Sequence, residues 1–236
     1  MVRSLEPILL AWSGGKESLM ALRELRRQKE FDVCGLVTTV SDSDQRVTTH
    51  GVSREVIKEQ ARALGLTIDI VTVPKGCCLH TYNDSLAAAA AAKRDLGVRK
   101  IAFGDLYLDD VRDFREECLE MIGMEAIFPL WQLDTQELAW AYVHAKYKAV
   151  ITCVDEQSLP RSFVGRLYDR AFLSDLPLGV DPCGENGEFH TFVFDGPVFD
   201  HPVAIKQGTP YSEASMHYCD VLGQSNHPKQ AMRRAR

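Results

Sequence analysis

Pro7-Ile8-Leu9-Leu10-Ala11-Trp12 runs straight into Ser13-Gly14-Gly15-Lys16-Glu17-Ser18: an apolar strand breaks at a glycine-rich turn and continues as an amphipathic helix. Such a turn leaves backbone N–H groups unpaired at a helix N-terminus, where the aligned peptide dipoles also favour an anion. Two glycines let the backbone approach a phosphate without a Cβ in the way. Ser13 and Ser18 add hydroxyl donors, and Lys16, read as an exposed loop charge, adds a point charge. The order of residues is not GxxxxGK[ST]. The stretch reads as a phosphate cradle, although a turn of this composition can also be purely structural.

Outward from this turn, apolar strand-like runs at 7–12, 33–39, 68–73, 100–104 and 149–153 alternate with helical patterns at about 16–29, 53–65, 83–97, 110–123 and 134–146. Alternation of this kind predicts an α/β fold, a five-stranded parallel doubly wound sheet with helices on both faces. Ser53 is placed to cap the second helix and Asn83 or Asp84 the third, with Gly65 and Gly97 as stops. The expected organisation is a nucleotide-binding domain over 1–154 and a smaller, proline-punctuated C-terminal substrate region over 155–236. In doubly wound sheets ligands bind at the carboxyl ends of the strands, so the loops after strands one, two and four are the places to look.

Composition narrows the partners. With 236 residues, 45% hydrophobic and 25% charged, the chain can bury a sizeable core. No run approaches the ~20 apolar residues of a membrane span, so a cytoplasmic protein without a membrane partner is expected. The net charge of −6 argues against a nucleic-acid partner, despite a short basic tail at Lys229 and Arg233 to Arg236. Seven cysteines without a CxxC pair point to reduced, mostly packed thiols.

The loop after the second strand runs from Thr38 to His50-Gly51-Val52, long and polar for a structural connection. After the fourth strand comes Phe103-Gly104-Asp105, where Gly104 permits close approach to a nucleotide and Asp105 suits a metal or ribose contact. Arg112 and Arg115 share one helical face, fit either for pyrophosphate or acidic substrate or for pairing with the neighbouring carboxylates. A second dense cluster, Asp181-Pro182-Cys183-Gly184-Glu185-Asn186-Gly187-Glu188-Phe189-His190-Thr191, puts carboxylates, an amide and an imidazole ahead of an apolar strand that would fix them. Cys183 reads as a packed thiol. Glu185, Asn186, Glu188 and His190 read as contacts to acceptor or ammonia.

Ser13 to Ser18 resembles the SGGKDS signature of the PP-loop ATP pyrophosphatases, with Glu17 in place of the usual Asp. Phe103-Gly104-Asp105, Phe128-Pro129-Leu130-Trp131, the glycine-rich acidic motif and Phe194-Asp195-Gly196-Pro197 extend the resemblance to the diphthine-ammonia ligase family, over residues ~8–200. Where that family has Glu-Gly-Gly-Glu followed by Tyr-Glu-Thr, this chain has Glu185-Asn186-Gly187-Glu188 and Phe189-His190-Thr191. The variant resembles a bacterial branch linked to cobalamin salvage or amidation, so an acceptor other than diphthine is expected.

The resemblance implies the adenine nucleotide α hydrolase-like fold, with ATP and Mg2+ as cofactors. It implies ATP binding by Trp12, Ser13, Gly14, Gly15, Lys16, Ser18, Thr38, His50, Gly104 and Asp105, and metal binding by Glu17 or Asp105. Arg112, Arg115 and Asn186 would bind substrate, while Lys16, Glu185, Glu188 and His190 would be catalytic. The implied reaction adenylates a small-molecule or protein carboxylate with release of pyrophosphate, then displaces AMP with ammonia or an amine. No glutaminase domain fits this length and position 2 is Val, so ammonia is expected from solution or a separate donor. A diphthine-ammonia ligase proper, a tRNA-modifying PP-loop enzyme and a non-catalytic nucleotide-binding protein are the alternatives; a homodimer is left open. If the reading holds, the Glu185 to His190 loop must fold over the strand ends and face Ser13 to Ser18.

Overall fold

The computed structural model describes residues 5–224, so the basic tail lies outside the described residues. β1 (Glu6–Ala11), β2 (Phe31–Ser41), β3 (Ile68–Val73), β4 (Lys100–Ala102) and β5 (Glu125–Ile127) form a parallel sheet in the order β3-β2-β1-β4-β5. The expected doubly wound sheet is therefore present, with its switch point at β1 and β4. On β1 the side chains alternate between two cores. Ile8 and Leu10 pack with Leu19 and Leu22 of α1 (Lys16–Gln28) and Ile57 of α2 (Arg54–Ala63). Leu9 packs with Leu86 and Ala90 of α3 (Leu79–Ala91) and Leu119 of α4 (Asp109–Glu120).

Two sequence expectations need correction. The fifth parallel strand is β5, not 149–153; three residues are too few to show a period. The 149–153 run lies within β6 (Lys148–Asp155), which pairs antiparallel with β7 (Phe189–Asp195) in a separate sheet. Buried from Ala149 to Val154, β6 carries the continuous apolar run that a parallel strand would also have. The third helix starts at Leu79 after Cys78, so neither Asn83 nor Asp84 caps it. Asn83 is instead buried within α3 and accepts a hydrogen bond from Arg115. Ser53 caps α2 as expected, accepting from the Val56 N–H at 3.4 Å.

Beyond β5, α5 (Thr135–His144) is capped by Asp134, and the chain enters the second sheet through β6. After α6 (Arg170–Asp175) and β7 come β8 (Ile205–Gln207), β9 (Tyr211–Glu213), β10 (Met216–Tyr218) and β11 (Val221–Gly223). The second sheet has the order β7-β6-β10-β9, and β8 pairs with β11. One hydrophobic core runs from Ile8 and Leu10 to Tyr168, Phe172, Phe192 and Val193, joining both sheets. All seven cysteines are free.

Candidate active site

The turn after β1 is tied into the C-terminal sheet. Gly14 has φ +80, and its carbonyl accepts from the Val193 N–H of β7 at 2.9 Å and from Gln60 Nε2 at 3.0 Å. A Cβ on Gly14 would lie 2.6 Å from Ile57 Cδ1, so both the backbone angle and the close packing call for glycine. Gln60 is fully buried: it also donates to the Val193 carbonyl at 2.6 Å and accepts from Trp12 Nε1 at 2.8 Å. The Lys16 N–H donates to Thr191 Oγ1 at 3.1 Å. Ser18 Oγ, in turn, donates to the Gly15 carbonyl at 2.9 Å.

Lys16 departs from its expected position. Its side chain is buried, not exposed, and its ammonium donates to the Cys183 carbonyl at 2.5 Å, pairs with Glu17 and lies 4.7 Å from the centre of the Phe189 ring. The ammonium is thus anchored in the C-terminal region and does not line the adjoining cavity.

That cavity, about 240 Å³, opens at the carboxyl ends of β1, β2 and β4. It is lined by Trp12, Ser13, Glu17 and Ser18 from the first turn, and by Thr38 and His50 from the second strand and its loop. Gly104, Asp105 and Arg115 form a further wall, and Glu185 and His190 close it from the C-terminal region. The loop containing Glu185 and His190 therefore does fold over the strand ends. Six residues singled out from sequence stay off this wall: Gly14, Gly15 and Lys16 in the turn, Arg112, Asn186 and Glu188. Arg112 pairs with the neighbouring Glu116 carboxylate and lies over Trp131. Glu188 is buried as a loop clamp, accepting from the Asp181 and Asn186 backbone N–H groups and from Asn186 Nδ2. Gly104, on the cavity wall, also packs closely: a Cβ there would lie 3.0 Å from the Glu17 backbone.

Burial sets the protonation states. Glu185 is pushed up to about 7, first by burial and then by the Glu17 and Asp105 charges, against the Leu106 N–H that its carboxylate accepts at 2.7 Å. His50 is lowered to about 4, mainly by burial, with the Lys16 charge adding to it. Its Nδ1 sits 3.1 Å from the Thr191 carbonyl, which only a protonated Nδ1 can satisfy, leaving Nε2 as the acceptor of the neutral ring. His190 is held well below its ordinary value by burial, His50 and Lys16, with the two ring centres 4.5 Å apart. Both imidazoles are neutral near pH 7. The Cys183 thiol is pushed up by burial and donates to the Thr135 carbonyl, consistent with a packed thiol.

Two features fit a phosphate-bound hard cation. Glu17 and Asp105 present carboxylate oxygens to one cavity, and their charges add to the burial that raises Glu185. Thr38 Oγ1, buried in the same wall, has no hydrogen-bond partner among the described residues. Asp105 is also held by Arg115, at 3.0 Å. Sequence reasoning missed Gln60 and the role of Thr191. The signal for Gln60 was a lone amide on the apolar face of α2, alongside Val56, Ile57 and Ala61.

Two family models match in chain order: the diphthamide synthase N-terminal domain over residues 7–126 and the diphthamide synthase C-terminal domain over residues 134–226. The diphthine–ammonia ligase of Homo sapiens is 26% identical over 163 residues, covering 67% of this chain and 60% of that protein. The Mus musculus protein of the same name is 27% identical over 130 residues, covering 53% and 47%. The chain thus spans roughly half to three-fifths of the length of these relatives. Among solved structures, the U34-tRNA thiolase NcsA of Methanococcus maripaludis aligns with a TM-score of 0.39 at 15% identity, over 60% of this chain and 58% of that one. With both domain models matched in order across most of its length, the chain belongs to the diphthamide synthase family of PP-loop proteins.

Proposed function

We propose that this chain is an ATP-dependent, AMP-forming ligase that joins ammonia or an amine to a substrate carboxylate. The observation that carries the reading is the meeting of the two motif regions at one cavity, Ser13, Glu17 and Ser18 on one side and Glu185 with His190 on the other. A carboxylate oxygen attacks the α-phosphorus of ATP, the bond to the β-phosphate breaks, and pyrophosphate leaves. Nitrogen then attacks the acyl carbon, and AMP departs as the acyl C–O bond breaks. Mg2+ held by Glu17 and Asp105 would supply positive charge against the phosphates.

Glu185 is the base of this reading, taking the proton from the incoming nitrogen. Its elevated pKa suits proton transfer near neutrality, whereas Glu188 is saturated by N–H donors inside its loop. Neutral His190 accepts a hydrogen bond from the same nitrogen. Ammonia comes from solution or a separate donor, and a cytoplasmic setting belongs to the same proposal. Diphthine is the acceptor of the named relatives; His190, on the cavity wall where the ligase motif has Glu, supports a different acceptor here.

The deciding experiment incubates the protein with ATP, magnesium, ammonium and a panel of carboxylic acids, diphthine-bearing elongation factor included. Carboxylate-dependent AMP and pyrophosphate are expected. ADP and phosphate as products would overturn the reading, and efficient amidation of diphthine would overturn the acceptor assignment alone.

A further inference from the structure

Where α3 meets α4, among side chains that do not line the cavity described above, three metal-binding groups converge. His80 and Asp84 are one helical turn apart on α3, with His80 Nε2 3.3 Å from Asp84 Oδ2. Cys118 reaches them from α4, and the three ligand atoms lie within 4.8 Å of one another. We propose that His80, Asp84 and Cys118 form a binding site for a borderline divalent cation of the zinc class, which ties α3 to α4.

The donor set selects the ion. One imidazole nitrogen, one carboxylate oxygen and one thiolate match zinc, whereas magnesium demands oxygen ligands. Thiolate and carboxylate together balance a 2+ charge. Among the described residues no hydrogen bond involves Cys118 Sγ, and the Asp84 carboxylate is engaged only by His80, so their lone pairs remain available. Bonds of about 2.0–2.3 Å in a tetrahedron place ligand atoms roughly 3.5 Å apart. The three atoms need to draw together by about an ångström, within reach of side-chain torsions. His80 and Asp84 are exposed, so water can take the fourth position.

The site adjoins the cleft through its neighbours in sequence. Tyr82 and Asn83 lie between the two α3 ligands, and Arg115 lies one turn before Cys118. Tyr82 and Arg115 line the cavity, while Asn83 Oδ1 accepts from Arg115 at 3.3 Å. A cation bridging the two helices would hold this wall, and with it the Arg115–Asp105 pair.

The test is titration of the full, chelator-stripped, reduced protein with Co2+, then displacement by Zn2+. One equivalent of cobalt is expected to give a thiolate-to-cobalt charge-transfer band and the visible bands of a tetrahedral ion, and zinc is expected to raise the melting temperature. His80→Ala and Asp84→Asn change exposed side chains and should keep the fold. Each should weaken binding beyond the roughly 10–100-fold typical of outer-shell changes. Cys118→Ser should abolish the charge-transfer band, and Cys34→Ser and Cys78→Ser should keep it. A wild-type protein that takes up no cobalt with that band overturns the proposal. So does a band and affinity unchanged in His80→Ala and Asp84→Asn, or one lost instead in Cys78→Ser.

Discussion

Thr191 Oγ1 accepts a hydrogen bond from the Lys16 N–H at 3.1 Å, across 175 residues of sequence, and so joins the first turn of α1 to β7. Thr191→Val keeps the shape but leaves a buried N–H unpaired, at a cost of about 1–3 kcal/mol. Urea unfolding should show that loss, and pyrophosphate-release kinetics should show a raised KM for ATP. Thr191→Ser should restore both, and equal behaviour of Val and Ser would remove the bond from the account.

Lys16 makes a different demand. Because its buried ammonium satisfies the Cys183 carbonyl and the Glu17 carboxylate, Lys16→Met should destabilise the protein by about 3–5 kcal/mol as well as stop turnover. Calorimetry checks this. A variant as stable as the parent would return Lys16 to the role of a plain surface charge.

Gln60 holds three groups with one amide, so Gln60→Leu orphans the Trp12 indole N–H, and the Gly14 and Val193 carbonyls each lose a donor. Expected is a loss of roughly 2–4 kcal/mol with a weaker grip on ATP. Gln60→Glu should do little better, because a carboxylate cannot donate to either carbonyl. Isothermal titration with ATP on the folded variants separates binding from stability.

Glu185 should write itself into the pH dependence twice. As the base, it should give turnover that rises with pH to a plateau above about 7, and Glu185→Gln should flatten that limb. Its raised pKa also makes the protonated form the better tolerated one in the fold. Its contribution is therefore full below the unfolded value of about 4.3 and lost as pH climbs through about 7, so Glu185→Gln should be the more stable protein at pH 8 by about 2–3 kcal/mol. Denaturant midpoints at pH 4 and pH 8 decide it.

For His50 the sign is opposite. A ring lowered to about 4 favours the fold above its unfolded value near 6.5 and loses that advantage as pH falls through 4. His50→Gln should blunt acid unfolding between those limits. A stability profile unchanged by the substitution would show that the ring is hydrated.

The two dense motifs were legible because each packs glycines and polar groups into a few consecutive residues, a pattern with few structural explanations. Gln60 and Thr191 were not, since each is a single polar residue inside an apolar stretch and its partners lie far away in sequence. The surroundings of Glu188 were hidden for a related reason: sequence shows a carboxylate but not the three N–H donors that occupy it. The parallel sheet was legible from alternation alone, while the identity of its edge strand was not. Glu125–Ile127 is too short to display a pattern, and Lys148–Asp155, covered on both faces, displays the one expected of a strand in the other sheet.

The bond from the Val193 N–H to the Gly14 carbonyl bears on how such a protein can be re-engineered. The glycine-rich loop of its N-terminal half is braced from behind by a strand encoded nearly 180 residues downstream. A chimera that borrows only the first half would inherit the signature hexapeptide without its brace. Module exchange in this family should therefore succeed at the level of paired halves, with β7 travelling together with the loop it supports.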